Sequence, residues 1–122
     1  MIYKIYNALL EDPVIIEKVG TKIKFYEYPA SGDVTSTHII IDPLDVPIPS
    51  DYADNKWLTE DFLFQIEVWS LNLADTLEIA KQIRKIMWNL NFSQGSGIDE
   101  YDKDFGIYRD ARRYRGKVYE DA

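Results

Sequence analysis

Along Asp61–Leu90 the hydrophobic period changes once, from two residues to about 3.6. Phe62, Phe64, Ile66 and Val68 alternate with Leu63, Gln65, Glu67 and Trp69, as a strand with one core face demands. Past Ser70, Leu73, Leu77, Ala80, Ile83, Met87 and Leu90 recur at helical spacing, while Glu78, Lys81, Gln82 and Lys85 occupy most of the opposite face. The pattern predicts a strand and then a long helix over about 72–90, with Asn72 or Ser70 as its N-cap. Asp75 and Glu78 near its start, and Lys81, Arg84 and Lys85 towards its end, suit the helix dipole.

The same reading extends to both sides. Ile2, Ile5, Tyr6, Leu9 and Leu10 predict a first helix that starts almost at Met1. Asp12-Pro13 reads as an N-cap with proline at the first helical position, opening a short helix through Lys18 that ends at Gly20. Lys22–Tyr28 is strand-like, Pro29, Ser31, Gly32 and Asp33 mark a turn, and Ile39, Ile40 and Ile41 predict a well-buried strand over Thr37–Asp42. Asp42–Trp57, with Pro43, Pro47 and Pro49, reads as the longest connection, either functional or mobile. Ser93–Gly97 reads as a flexible turn, and Ile98–Tyr119 as two charged strands around Phe105-Gly106, the last edge-like or paired with another chain. The expected fold is one α+β domain over residues 1–122. It has a mainly antiparallel sheet of four to five strands, with the N-terminal helix and the long helix packed on one face.

Composition narrows the possible functions. A chain of 122 residues with 46% hydrophobic content can bury one core without staples. It has no cysteine, which excludes disulfides, thiolate nucleophiles and Cys-based zinc sites. The first residues lack the basic flank and apolar run of a signal peptide, and no run approaches bilayer-spanning length. Nine Tyr and three Trp suit either exposed sheet faces or an interface. A net charge of −7 argues against general affinity for nucleic acid or anionic membrane.

The candidate chemistry is sparse. His38, the single histidine, sits between Thr37 and Ile39 and reads as structural. Gly95-Ser96-Gly97 lacks the strand–elbow context of a nucleophilic serine. Taking Glu100, Asp102 and Asp104 as the first calcium-loop ligands puts Phe105 where the sharp-turn glycine belongs and Ala111 where the bidentate glutamate belongs. No catalytic residue, metal, cofactor or small-molecule substrate is therefore expected.

Charge distribution says more than its total. Asp99, Glu100, Asp102 and Asp104 form an acidic block, and Arg109, Arg112, Arg113, Arg115 and Lys117 a basic one. In an extended segment Arg109, Ala111, Arg113, Arg115 and Lys117 share one face, with Tyr108, Asp110, Arg112 and Tyr114 on the other. The basic strand could line a single-stranded nucleic-acid groove or form a solvated edge. The favoured expectation is that the acidic strand pairs with the basic one, within one subunit or across a subunit boundary. These nine charged residues are then the candidate subunit interface.

With these residues in view, the chain resembles the tail completion proteins of long-tailed bacteriophages, also called tail terminator or tail-to-head joining proteins. The resemblance lies in Phe64-Gln65-Ile66-Glu67-Val68-Trp69-Ser70, in Ala80-Lys81-Gln82-Ile83-Arg84-Lys85-Ile86-Met87, and in the closing Gly106-Ile107-Tyr108-Arg109-Asp110-Ala111-Arg112-Arg113-Tyr114-Arg115. It covers most of the chain, and its motif is apolar and aromatic patterning rather than a catalytic signature. It implies a structural protein that closes the head-proximal end of the tail tube as a hexameric ring. The implied partners are copies of itself, the major tail tube protein and the head–tail connector protein, with DNA only in transit through the lumen. The implied location is the host cytoplasm during assembly and then the virion. A small acidic protein-binding module, of inhibitor or immunity type, is the alternative that the surplus of acid and tyrosine suggests.

Overall fold

The computed structural model describes residues 1–28, 35–53 and 56–119. The elements run α1 (Ile2–Leu10), α2 (Pro13–Val19), β1 (Ile23–Phe25), β2 (His38–Pro43), β3 (Ile48–Ala53), β4 (Lys56–Ser70), α3 (Leu73–Asn89), β5 (Phe92–Asp102) and β6 (Ile107–Tyr119). One sheet has the order β1-β2-β4-β6-β5, with β3 paired to the first half of β4. Among the described residues, only β1 and β2 run parallel. The α+β class, the mainly antiparallel sheet and the helices on one face are as expected; the sheet has six strands rather than four to five.

Local chemistry explains the helix boundaries. The Asp12 carboxylate accepts hydrogen bonds from the Val14 and Ile15 amides at 3.0 and 3.1 Å, with Pro13 at the first helical position. Gly20 closes α2 at φ 65°, a conformation that costs glycine nothing. Asn72, not Ser70, caps α3 by accepting from the Asp75 amide. Ser70 instead accepts from the Asn72 amide, which tightens the strand-to-helix turn.

The core lies between the helices and one sheet face. Phe64, Ile66 and Val68 of β4 are buried there, with Phe62 packed at the margin, so the alternation in the sequence marks the correct face. Against them lie Ile5, Leu9, Ile15, Ile79, Ile83 and Met87. Removing this apolar surface from water supplies most of the drive to fold, at roughly 25 cal/mol per Å². Gly116 lies against the Phe92 ring: a Cβ there would sit 2.5 Å from a ring carbon. The backbone of β6 and the aromatic ring of β5 can therefore share one layer only with glycine at this site.

Several expectations need correction. The apolar stripe of α3 is narrower than the periodicity implies: Thr76, Ile79, Ala80, Ile83 and Met87 are buried, whereas Leu73 and Leu77 are 45% and 47% exposed. Relative to Thr76 those two leucines rotate about 60–100° around the axis, towards the rim of the sheet. The 43–57 connection contains a strand, β3, despite Pro47 and Pro49. Proline is admissible because β3 has an unpaired edge away from β4, where no amide donor is required. Ser93–Gly97 is no turn but part of β5, with a bulge between Gln94 and Gly97; the chain reverses earlier, at Asn91 with φ 70°. The last strand, expected to be edge-like or paired with another chain, sits between β4 and β5, and β5 lies at the edge on that side of the sheet. Positive φ at Tyr26 ends β1 after three residues, so the strand expected over Lys22–Tyr28 is short. The turn expected at Pro29–Asp33 lies outside the described residues.

Candidate interaction surfaces

The register assigns each charged residue of the tail to a face. Arg109, Ala111, Arg113, Arg115 and Lys117 stand opposite Trp69, Glu67, Gln65, Leu63 and Asp61 of β4, on the face away from the helices. Asp110, Arg112 and Tyr114 stand opposite Val68, Ile66 and Phe64, on the helix side. The two-face reading of this strand therefore holds. The acidic and basic strands also pair within one chain, as the third reading of the blocks allowed, and β5 and β6 form a hairpin turning at 103–106.

Only part of the charge is matched across that hairpin. Glu100 faces Arg109, but Asp99 faces Asp110, and Asp102 faces Ile107. Arg113 lies across from the bulge, and Arg115 opposite Ser93. Asp102 and Arg113 are therefore about 20 Å apart along the strands, and a charge exchange between them has no partner inside one chain. Asp104 sits in the turn, where its amide donates to the Asp102 carboxylate at 2.9 Å.

On the outer face, Glu67 is 6% exposed and collects three donors. Arg109 Nε donates to its Oε1 at 2.6 Å, Trp69 Nε1 to the same oxygen at 3.2 Å, and Gln65 Nε2 to its Oε2 at 3.3 Å. Arg109 also donates to Glu100 at 3.1 Å and lies over the Trp69 ring, which stacks on His38. Burial works against the Arg109 charge, but the hydrogen bonds and charges of Glu67 and Glu100 outweigh it and hold its pKa above the ordinary value. Nearby, burial first and the Glu67 charge second raise the Asp42 carboxyl.

On the helix side, Arg112 donates to both oxygens of the buried Asp110, at 2.8 and 3.0 Å, and to Gln94 at 2.9 Å. Burial opposes the Arg112 charge, and the hydrogen bond and charge of Asp110 overcome it. This fork-to-fork pair fixes both side chains and tolerates the like-charged Asp99 opposite. Lys117 pairs with Asp51 of β3 at 2.8 Å, and Thr59 donates to the same carboxylate oxygen at 2.7 Å. Arg109, Arg112 and Lys117 thus hold the fold's own strands together. Arg113 and Arg115 have no ion pair among the described residues.

Two surfaces were not evident from the sequence. One is an arm: the first half of β4 with β3 and the end of β6, which carries exposed Ile48, Tyr52, Trp57, Leu58 and Tyr119. Tyr52 stands opposite Trp57 across the hairpin. The other is a groove of about 570 Å³ where the end of α3 meets the start of β5, walled by Arg84, Lys85, Trp88 and Phe92. The available signal was Trp88, an aromatic residue off the apolar stripe of a helix that carries Arg84 and Lys85 on its polar side. Among the described residues, no group of three or more His, Asp or Glu could hold a metal ion, and no helix is long and apolar enough to cross a membrane.

No protein-family model matches the chain, and no curated protein matches it significantly. Its fold is similar to that of a chain in the solved structure "Virion of native gene transfer agent (GTA) particle". The TM-score is 0.72 at 16% identity, and the match covers 95% of this chain and 92% of the other. At that identity the likeness establishes a shared fold.

Proposed function

We propose that this protein is a structural component of a phage-like particle that closes the head-proximal end of the tail tube and joins it to the head connector, as a hexameric ring. The observation that carries the reading is the fold likeness to a virion chain, which runs nearly end to end in both molecules. The exposed surfaces add support. A small domain that leaves Tyr52, Trp57, Leu58, Trp88, Phe105 and Tyr119 exposed has apolar area to offer to neighbours. The surfaces differ from one another, so they suit heterologous contacts, the kind that close a ring when the rotation permits.

In this reading the protein makes and breaks no covalent bond. Its copies cap the last layer of tube, end tube growth and offer the connector a docking surface. The net charge of −7 keeps the walls of such a ring from gripping DNA in transit. The arm, rather than a free loop at 43–57, is the element that reaches over the tube. The decisive experiment disrupts the gene and images the particles by electron microscopy. Overlong tails, or tails separated from filled heads, are expected; normal infectious particles would overturn the reading.

A further inference from the structure

The β5–β6 turn and the α3–β5 groove are complementary and cannot meet within one chain. The turn presents Phe105, 62% exposed, with Lys103 between Asp102 and Asp104, and neither carboxylate has an ion pair among the described residues. The groove presents Trp88, 70% exposed, with Arg84 and Lys85, equally free of ion pairs among those residues. A second hollow of about 370 Å³ continues past Trp88, lined by Asn91, Phe92 and Ser93. Together they give a hollow large enough for one phenyl ring, with exposed Trp88 at its wall and Arg84 and Lys85 beside it.

The two features lie at opposite ends of the same strand. β5 starts in the groove at Phe92 and reaches the turn after Asp102, about 30 Å at the usual rise of a strand. A contact between them therefore joins two molecules head to tail. On a chain of net charge −7 an acidic turn is repelled by most of a neighbour's surface. The groove offers two full positive charges, which exceed the roughly half negative charge at the C-terminal end of α3.

We infer that the β5–β6 turn of one copy seats in the α3–β5 groove of the next, with Phe105 against Trp88 and with Asp102 and Asp104 against Arg84 and Lys85. This rests on the ring reading and names one of its contacts. Aromatic packing at the centre supplies affinity, and the charges set direction and register.

The absence of native cysteine makes the test clean. Asn89→Cys in the groove and Lys103→Cys in the turn place one thiol at each end, leave Phe105 and Trp88 in place, and are too far apart to bridge within a chain. Oxidation of the doubly substituted protein, at high concentration and in assembled particles, is expected to give a covalent ladder that stops at the ring's copy number. Each single variant should give none. Adding Arg84→Glu and Lys85→Glu should abolish the ladder, and Asp102→Lys with Asp104→Lys in the same chain should restore it, with circular dichroism confirming the fold throughout. No ladder in either setting, or a cross-link from residue 103 to another particle protein, overturns the contact. If native mass measurement then still finds a ring, only this contact fails. If no ring forms and particles lacking the protein are normal, the ring reading fails with it.

Discussion

The two halves of β4 follow the same alternating rule with different consequences. From Phe62 to Ser70 the strand lies under the helices, with Phe64, Ile66 and Val68 in the core and Glu67 buried in a polar network on the other face. From Lys56 to Asp61 no residue joins the described core cluster, and Trp57 and Leu58 stay exposed although they are as apolar as the residues further along. Alternation decides which face a residue takes, but only a second layer decides whether that face is dry. The covered half is therefore expected to determine stability and the uncovered half association.

Substitutions can sharpen or break that contrast. The largest effect is expected in the covered half: Ile66→Ala should cost about 2–5 kcal/mol through lost burial and a cavity, read by urea unfolding. Next, Arg109→Leu removes the partner of nearly buried Glu67. Because Arg109 itself is partly exposed, the cost should be about 2 kcal/mol, below the full value for a buried pair. Adding Glu67→Leu should return much of it, and a double variant no better than the single would show that the network is not a coupled unit.

Tyr114 supplies a test of burial through pH. Burial pushes its phenol up to about 12, and the hydroxyl has no hydrogen-bond partner among the described residues. A group whose pKa is raised by folding contributes stability that is fully present below the unfolded value, near 10, and lost as pH rises through the folded one. Wild-type protein should therefore lose about 2 kcal/mol between about pH 10 and 12 from this residue alone. Tyr114→Phe should remove that loss and leave neutral-pH stability unchanged or higher. An unchanged alkaline limb in that variant would mean the ring is not closed to water.

The smallest effects on stability belong to the arm. Trp57→Ser is expected to shift it by less than about 1 kcal/mol while impairing assembly in particle complementation. A loss of several kcal/mol would show the arm to be part of the core. The Asp51–Lys117 pair should matter least. The hydrogen bond from Lys117, and next that from Thr59, hold the Asp51 carboxyl below its ordinary value. Its contribution is present above the unfolded carboxylate pKa and lost as pH falls through the folded one. Asp51→Asn should flatten that acid-side limb slightly in thermal melts, and should leave the alkaline limb alone.

What was legible in the chain was local. Asp12-Pro13 and Asn72 announced helix starts by their own hydrogen bonds, and period two announced the core face of β4. The paired faces of the basic strand were readable because side chains must alternate. The reach of β3 was not, since proline argues against a strand only where its missing amide would be needed, and sheet position settles that. Ser93–Gly97 had turn composition, yet pairing with β6 kept it extended. Nine charged residues were named as a candidate interface, but the sequence could not tell that Arg109, Arg112 and Lys117 are ion-paired inside the chain, whereas among the described residues Arg113 donates only to Gln65 and Arg115 has no ion pair.

By itself, then, the amino-acid sequence determined the helices, the buried face of the central strand and the class of fold, because each depends on patterns spanning a few residues. The tertiary structure alone decided strand order, which charges are internally matched, which aromatics remain exposed and where a groove opens. Those depend on which distant segments come to lie side by side, and residue spacing along a chain does not encode that.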